Sequence, residues 1–261
     1  VALVLLAVLY FSGVVREAVL GAIVSAAAFT AASVVLRLLL PRSTPLTSHL
    51  SKFKRQKLQN SKPCSDRGIS VGKLHELLEF FGDFIRDRDA YYVSTNILKP
   101  LTTASELSYA EVAGAGKAEW FASHAWGTAF EYFSTALQKH ATACRGNRNW
   151  TELQYWICFC SINQNHAREE FSANWRESAF YTTLQSSTCH GTCLVLDDEA
   201  LPLTRIWCVL EFLQTLKLER KDEDFQGLLL CTSGGVLNMG QGSAGVAATL
   251  AKQWAEVNMA T

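Results

Sequence analysis

The sequence reads as an α/β protein, a parallel sheet of four to five strands flanked by helices and preceded by a transmembrane helix. Three observations carry this reading. Between Val1 and Leu40 the only charges are Arg16, Glu17 and Arg37. A wholly basic run follows. From Ala118 onward, short unbroken apolar runs alternate with segments whose apolar residues recur at helical spacing, and strands that are apolar throughout belong to a sheet covered on both faces.

Residues 1–40 form the membrane segment. Residues 18–36 are nineteen positions without a charge, roughly 28 Å as a helix, which matches a bilayer core. Its small residues (Gly21, Ala22, Ser25 to Ala28, Ala31 to Ser33) suit packing against other transmembrane helices of a larger complex. Residues 1–15 are too short to span alone. They read as the rest of a longer tilted helix or as half of a hairpin. A signal peptide or a buried core helix are the other readings of so apolar a stretch. The chain opens at Val1 rather than Met, which leaves room for a presequence upstream.

Residues 41–69 form a basic juxtamembrane linker, marked by Pro41, Ser43, Thr44 and Pro45. From Arg37 to Lys62 there are seven basic side chains and no acidic one. Such a run marks the cytoplasmic, stromal or matrix side of a membrane and sits well near anionic lipid. From Pro63 onward, 16 basic side chains face 23 acidic ones, a net charge of about −7 hidden under a total of zero. That sign argues against nucleic acid as a partner.

Residues 70–261 carry the α/β domain. A helix is expected over 71–86, with Leu74, Leu77, Leu78, Phe81 and Phe84 or Ile85 on one face. Residues 91–98 read as a strand or extended stretch ending at Pro100. Strands are expected at 120–123, 154–160, 192–196 and 227–232, with helices at 129–143, 175–185, 204–218 and 243–257. The short connections call for right-handed crossovers. Gly240-Gln241-Gly242-Ser243-Ala244-Gly245 fits G-x-G-x-x-G, but it lies too far from a strand, and no ribose-binding acid follows.

The eight cysteines read as reduced, buried thiols. Cys158, Cys160, Cys193 and Cys231 fall inside apolar runs, where a thiol acts as a small hydrophobe. A domain of this size needs no disulfide framework. Cys158, Cys160, Cys189, His190 and Cys193 are near one another in sequence, but the paired C-x-x-C spacing of zinc sites is missing. No metal is expected.

In an open parallel sheet, ligands bind beyond the carboxyl ends of the strands. Three ends are polar here: Ser123-His124-Ala125-Trp126, Asn163-Gln164 after the second strand, and Asp197-Asp198 after the third. The helix that follows carries Arg205, Trp207, Cys208 and Glu211, with Trp207 and Glu211 one turn apart on one face. A Ser/His/Asp or Cys/His hydrolase assembled from His124, Asp197 and Cys208 lacks a nucleophile elbow.

The phrases FASHAWG, YWICFCSINQ, LVLDD and PLTRIWCVLEF resemble Toll/interleukin-1 receptor (TIR) domains, and more closely the TIR-like proteins of algae and protists. The resemblance covers roughly residues 98–237 and includes the W-C-x-x-E tetrad Trp207, Cys208, Glu211. It implies a flavodoxin-like, TIR-like sheet. It also implies that Glu211 matches the glutamate with which TIR enzymes cleave the nicotinamide–ribose bond of NAD. A carboxylate suits the oxocarbenium-like state of that cleavage. Trp126 or Trp207 would stack on a base or nicotinamide ring, and Arg205 would pair with a phosphate.

Each residue also has a structural role open to it. Glu211 can pair with Arg205 or a lysine, Trp207 and Cys208 can be core, His124 a buried hydrogen-bonding side chain, and Asn163 a turn residue. Two functions follow. One is a membrane-anchored interaction or accessory subunit of a larger membrane assembly, with a thylakoid complex among its homes, and no cofactor of its own. The other is an NAD glycohydrolase or cyclase using Glu211, for which NAD is the substrate.

Overall fold

The structure is a computed structural model that describes residues 2–11, 13–39, 44–53, 61–170, 174–241, 245–246, 248–250 and 252. It divides into two compact units, residues 1–49 and residues 50–261. Most of the basic run and of the expected helix over 243–257 lies outside the described residues.

In the first unit, helices Ala2–Phe11 and Val14–Leu39 are separated at Gly13, whose φ of +83° only glycine adopts at no cost. The expected single span is thus contained in a 26-residue helix, and the first apolar run is a helix of its own. Among the described residues no helix is long and apolar enough to cross a membrane.

The second unit is mixed α/β. Its six strands are β1 (Ile69–Ser70), β2 (Trp120–His124), β3 (Gln154–Ile157), β4 (Gly191–Val195), β5 (Leu228–Thr232) and β6 (Gly235–Val236), in the spatial order β1-β3-β2-β4-β5-β6. The four central strands are parallel. The two short edge strands are antiparallel, which the apolar runs do not foretell. The four main helices are α1 (Val71–Ile85), α2 (Phe130–Cys144), α3 (Ala179–Leu184) and α4 (Ile206–Glu219).

Alternation along the strands sorts the helices onto two faces. Trp120 meets His140 of α2, whereas the next residue, Phe121, meets Phe180 of α3. On β4, Thr192 shares a hydrogen bond with Thr215 of α4 (2.6 Å), and its neighbour Cys193 turns toward His140. The α3/α4 face is packed by Phe121 stacked on Trp156 at 4.9 Å, with Phe180 edge-on to that indole. Against the other face, α1 buries Val71, Leu74, Leu77, Phe81 and Ile85, close to the set read from helical spacing.

Two expectations are corrected. Residues 91–98 are helical, not extended: Asp89 caps helix Ala90–Val93 by accepting from Tyr92 N (2.9 Å), and a π-helical turn, Ser94–Leu98, leads into Lys99–Thr102. Pro100 has no N–H for the ladder, and the wider turn just before it accommodates the gap. The second expected strand is also shorter. It ends at Ile157, whose N–H donates to Ser161 Oγ (3.0 Å), and Cys158–Ser161 forms one helical turn. Ser161 Oγ in turn donates to Arg67 O (2.7 Å).

Among the parallel strands, chain direction across the sheet reverses between β2 and β4. In sheets of this kind, the crevice at that point is where ligands bind.

Candidate functional site

A cleft of about 230 Å³ opens at the carboxyl ends of β2 and β4. Its walls are Tyr91, Trp126, Phe180 and Trp207, with His124, Cys158, Arg205, Cys208 and Glu211 completing the lining. Tyr91 leans on Trp126 (5.1 Å between ring centres), and Trp207 stacks on Phe180 (5.9 Å, 18° between planes). Trp207 is nonetheless 44% exposed.

Glu211 lies on the second turn of α4 and is 4% exposed. Its side-chain partner is Ser123 on β2, whose hydroxyl donates to Oε2 at 2.5 Å. Among the described residues it makes no ion pair with Arg205 or with a lysine, and its burial sets the surface-pair alternative aside. A carboxyl group buried with one neutral donor is costly to ionise. Burial pushes its pKa up to about 8, against a smaller lowering by the Ser123 hydrogen bond. Glu211 is therefore a desolvated acid at the wall of an aromatic cleft.

His124 is buried, with Nδ1 3.4 Å from Ala122 O and, among the described residues, no hydrogen-bond partner at Nε2. Burial first, and Arg205 last, hold its pKa down at about 4. At neutral pH it is an uncharged ring packed between Phe133 and Phe159. Arg205 is exposed at the N-cap of α4; its backbone N–H donates to Pro202 O (3.2 Å), and among the described residues its guanidinium forms no hydrogen bond or ion pair. Its guanidinium and the first turn of α4 together suit an anion.

The two thiols of the cleft are held by the fold. Trp126 Nε1 donates to Cys158 Sγ (2.9 Å), and Cys208 Sγ donates to His124 O (3.4 Å). Burial and then the Glu211 carboxyl push Cys208 up to about 12. A thiol so rarely ionised is a poor nucleophile.

Of the expected residues, His124, Trp126, Arg205, Trp207 and Glu211 meet at this cleft, with Ser123 directly behind Glu211. Three do not line it. Asn163 is a turn residue: its side chain donates to Glu106 O and accepts from Asn165 N (3.0 Å). Gln164 donates to Cys158 O and Ile162 O, and accepts from Ser94 Oγ. Asp197 accepts from Thr128 Oγ1 (2.8 Å) and Leu201 N (2.9 Å), fixing the loop after β4. Tyr91, Cys158 and Phe180 line the cleft without having been singled out for it. Tyr91 and Phe180 reach it from elements remote in sequence, and Cys158 through the helical turn that ends β3.

The cysteines are free, and within the described residues the sequence cluster of Cys158, Cys160, Cys189, His190 and Cys193 does not converge. Among the described residues, the converging set of metal-type donors is His140, Cys193 and Cys231, on the face of the sheet away from Glu211. Comparison with protein-family models, with curated proteins and with solved structures gives no match for this chain.

Proposed function

We propose that the α/β unit cleaves the nicotinamide–ribose bond of NAD at this cleft, with Glu211 stabilising the charge that develops on the sugar. The observation that carries the reading is a buried carboxyl that pairs with no cation among the described residues, set among aromatic rings. Such a group is poorly stabilised by its own fold, and a cationic planar ligand supplies the charge it lacks. A nicotinamide ring bound as its pyridinium meets that description, with Trp126 and Trp207 as stacking partners and Arg205 free for a phosphate. At about 230 Å³, the cleft falls below the range of whole-ligand pockets. It suits the nicotinamide–ribose end, with the rest of the dinucleotide over the exposed mouth.

The chemistry follows from the charges. As the C–N bond breaks, its electron pair stays on the ring nitrogen and nicotinamide leaves neutral, so no proton donor is needed. Positive charge moves to the ribose, where the Glu211 carboxylate is worth more than in water because the site is dry. Water then adds to the anomeric carbon and loses a proton, giving ADP-ribose. An internal nucleophile in place of water gives a cyclic product. The strand order of the parallel set, second-first-third-fourth, is that of flavodoxin-like sheets, which supports the TIR resemblance.

The test is nicotinamide release from NAD by the full chain, concentrated on lipid, beside Glu211→Gln. Turnover in the parent that drops about 10²–10³-fold or more in the variant supports the reading. A folded parent that releases nothing overturns it.

A second reading rests on the first unit. Residues 17–32 of helix Val14–Leu39 are all exposed, Ile23, Val24 and Phe29 among them at 60%, 63% and 76%. An apolar surface of that length asks for a partner. It supports membrane attachment, with the chain as an accessory subunit packed against other membrane helices. The two readings concern different units and are compatible.

A further inference from the structure

We propose that His140, Cys144, Cys193 and Cys231 form a structural zinc site on the face of the sheet opposite Glu211. His140 and Cys144 lie one turn apart on α2, with Cys144 Sγ 3.6 Å from His140 Nε2. Cys193 is on β4 and Cys231 on β5, diagonal neighbours in the parallel pair in which Val195 faces Cys231. One donor atom from each of His140, Cys193 and Cys231 lies within 4.8 Å of the other two.

These spacings fit one ion. With Zn–S near 2.3 Å and Zn–N near 2.0–2.1 Å, a tetrahedron places its donor atoms about 3.5–3.8 Å apart. His140, Cys193 and Cys231 close on a centre by contracting about 1 Å. Cys144 lies outside that 4.8 Å set but already has the required distance to His140, and it completes the tetrahedron by swinging in from the end of α2. The set also has its outer support. His140 Nδ1 is 2.5 Å from the Tyr155 hydroxyl, which leaves Nε2 as the metal donor and fixes the ring. An oriented imidazole with an oxygen partner on its second nitrogen is the usual arrangement around bound zinc.

Three soft thiolates and an imidazole select zinc over harder divalent ions. Binding releases the three thiol protons. All four positions of the ion are filled by the chain, so it has no place for substrate water. It would tie α2 to the two strands that carry the sheet beyond the switch point. Cys144 is only half-buried, and its side is the route in. The residues span 140 to 231, which is why no sequence spacing announces the site.

The test uses the purified full chain under reducing conditions. Zinc is counted per chain, then replaced by Co²⁺, whose absorption reports thiolate coordination and tetrahedral geometry. About one zinc per chain and thiolate-to-cobalt charge-transfer bands are expected. Cys144→Ser and Cys231→Ser should weaken retention by 100-fold or more, Tyr155→Phe by about 10–100-fold, and Cys64→Ser should leave it unchanged. Should Cys231→Ser fail to fold, the half-buried Cys144→Ser and the parent's cobalt spectrum decide. A folded parent that holds no zinc and shows no cobalt–thiolate bands overturns the proposal. So do bands that survive in Cys144→Ser, and so does a Cys193–Cys231 disulfide in the metal-free chain.

Discussion

Glu211 carries opposite consequences for stability and for chemistry. Its pKa lies near 8 in the folded chain, against an ordinary value of 4.5. The folded state therefore holds more protons than the unfolded state between those two values, and stability falls as pH rises through that window. Glu211→Gln keeps the shape, can still accept from Ser123 and removes the ionisation. Its melting temperature should exceed the parent's by several degrees at pH 8 and differ little at pH 5. Equal shifts at both pH values would show that burial does not hold the proton.

Cleavage asks for the opposite charge state. The carboxylate must be ionised, so kcat/KM for NAD, which reports the free enzyme, should climb with pH through about 8. A cationic ring in the cleft favours the anion, so the same limb in kcat should sit lower. His124 titrates near 4, too low to shape either limb in that range. Coincident limbs in kcat and kcat/KM would argue against a cation beside Glu211.

Among the elements, the lead-in to β1 is held by charge. Arg67 is 7% exposed and Glu111 1%. The guanidinium donates to Glu170 (2.7 Å) and Lys62 O (2.8 Å), with Nε 3.6 Å from Glu111. Glu111 also accepts from Lys62 N, Ser108 N and Ser108 Oγ. Because Ser161, which ends β3, donates to Arg67 O, one cluster fixes both β1 and the turn below the cleft. Arg67→Ala leaves Glu111 buried without its cation and should cost about 3–5 kcal/mol in urea unfolding. Arg67→Ala with Glu111→Ala should cost less than the sum of the single changes. A loss below about 1 kcal/mol for Arg67→Ala would mean that the neutral donors hold Glu111 unaided.

The central strands and α1, α2 and α4 were legible because their apolar residues keep one period over many positions. The meeting of His124, Trp126, Arg205, Trp207 and Glu211 at one cleft was legible from the same source, since they lie at or after the ends of β2 and β4. Asn163, Gln164 and Asp197 were misplaced because the same residue types serve loops by satisfying backbone groups. The helical turn at 158–161 was hidden because YWICFC is apolar at every position, and a run without a period does not say where a strand ends. Tyr91 and Phe180 depend on long-range packing that no local window contains.

At the scale of the molecule, the two units differ in how much apolar surface they bury. The second unit buries aromatic rings between sheet and helices. The first leaves Leu3, Val4, Leu6, Ile23, Val24 and Phe29 more than half exposed. Helix Val14–Leu39 is 26 residues, about 39 Å, yet among the described residues no helix is long and apolar enough to cross a membrane, so attachment to lipid is the point to test. If lipid covers this surface, the full chain should resist carbonate extraction from membranes and partition into the detergent phase. Asp in place of both Ile23 and Val24 adds about 2.5–3.5 kcal/mol per carboxylate at the centre of a helix in lipid. That double substitution should release the chain to the aqueous phase without changing the melting of the α/β unit. Should parent and variant partition alike, the apolar face would belong against protein, and the accessory-subunit reading would need a partner outside the bilayer.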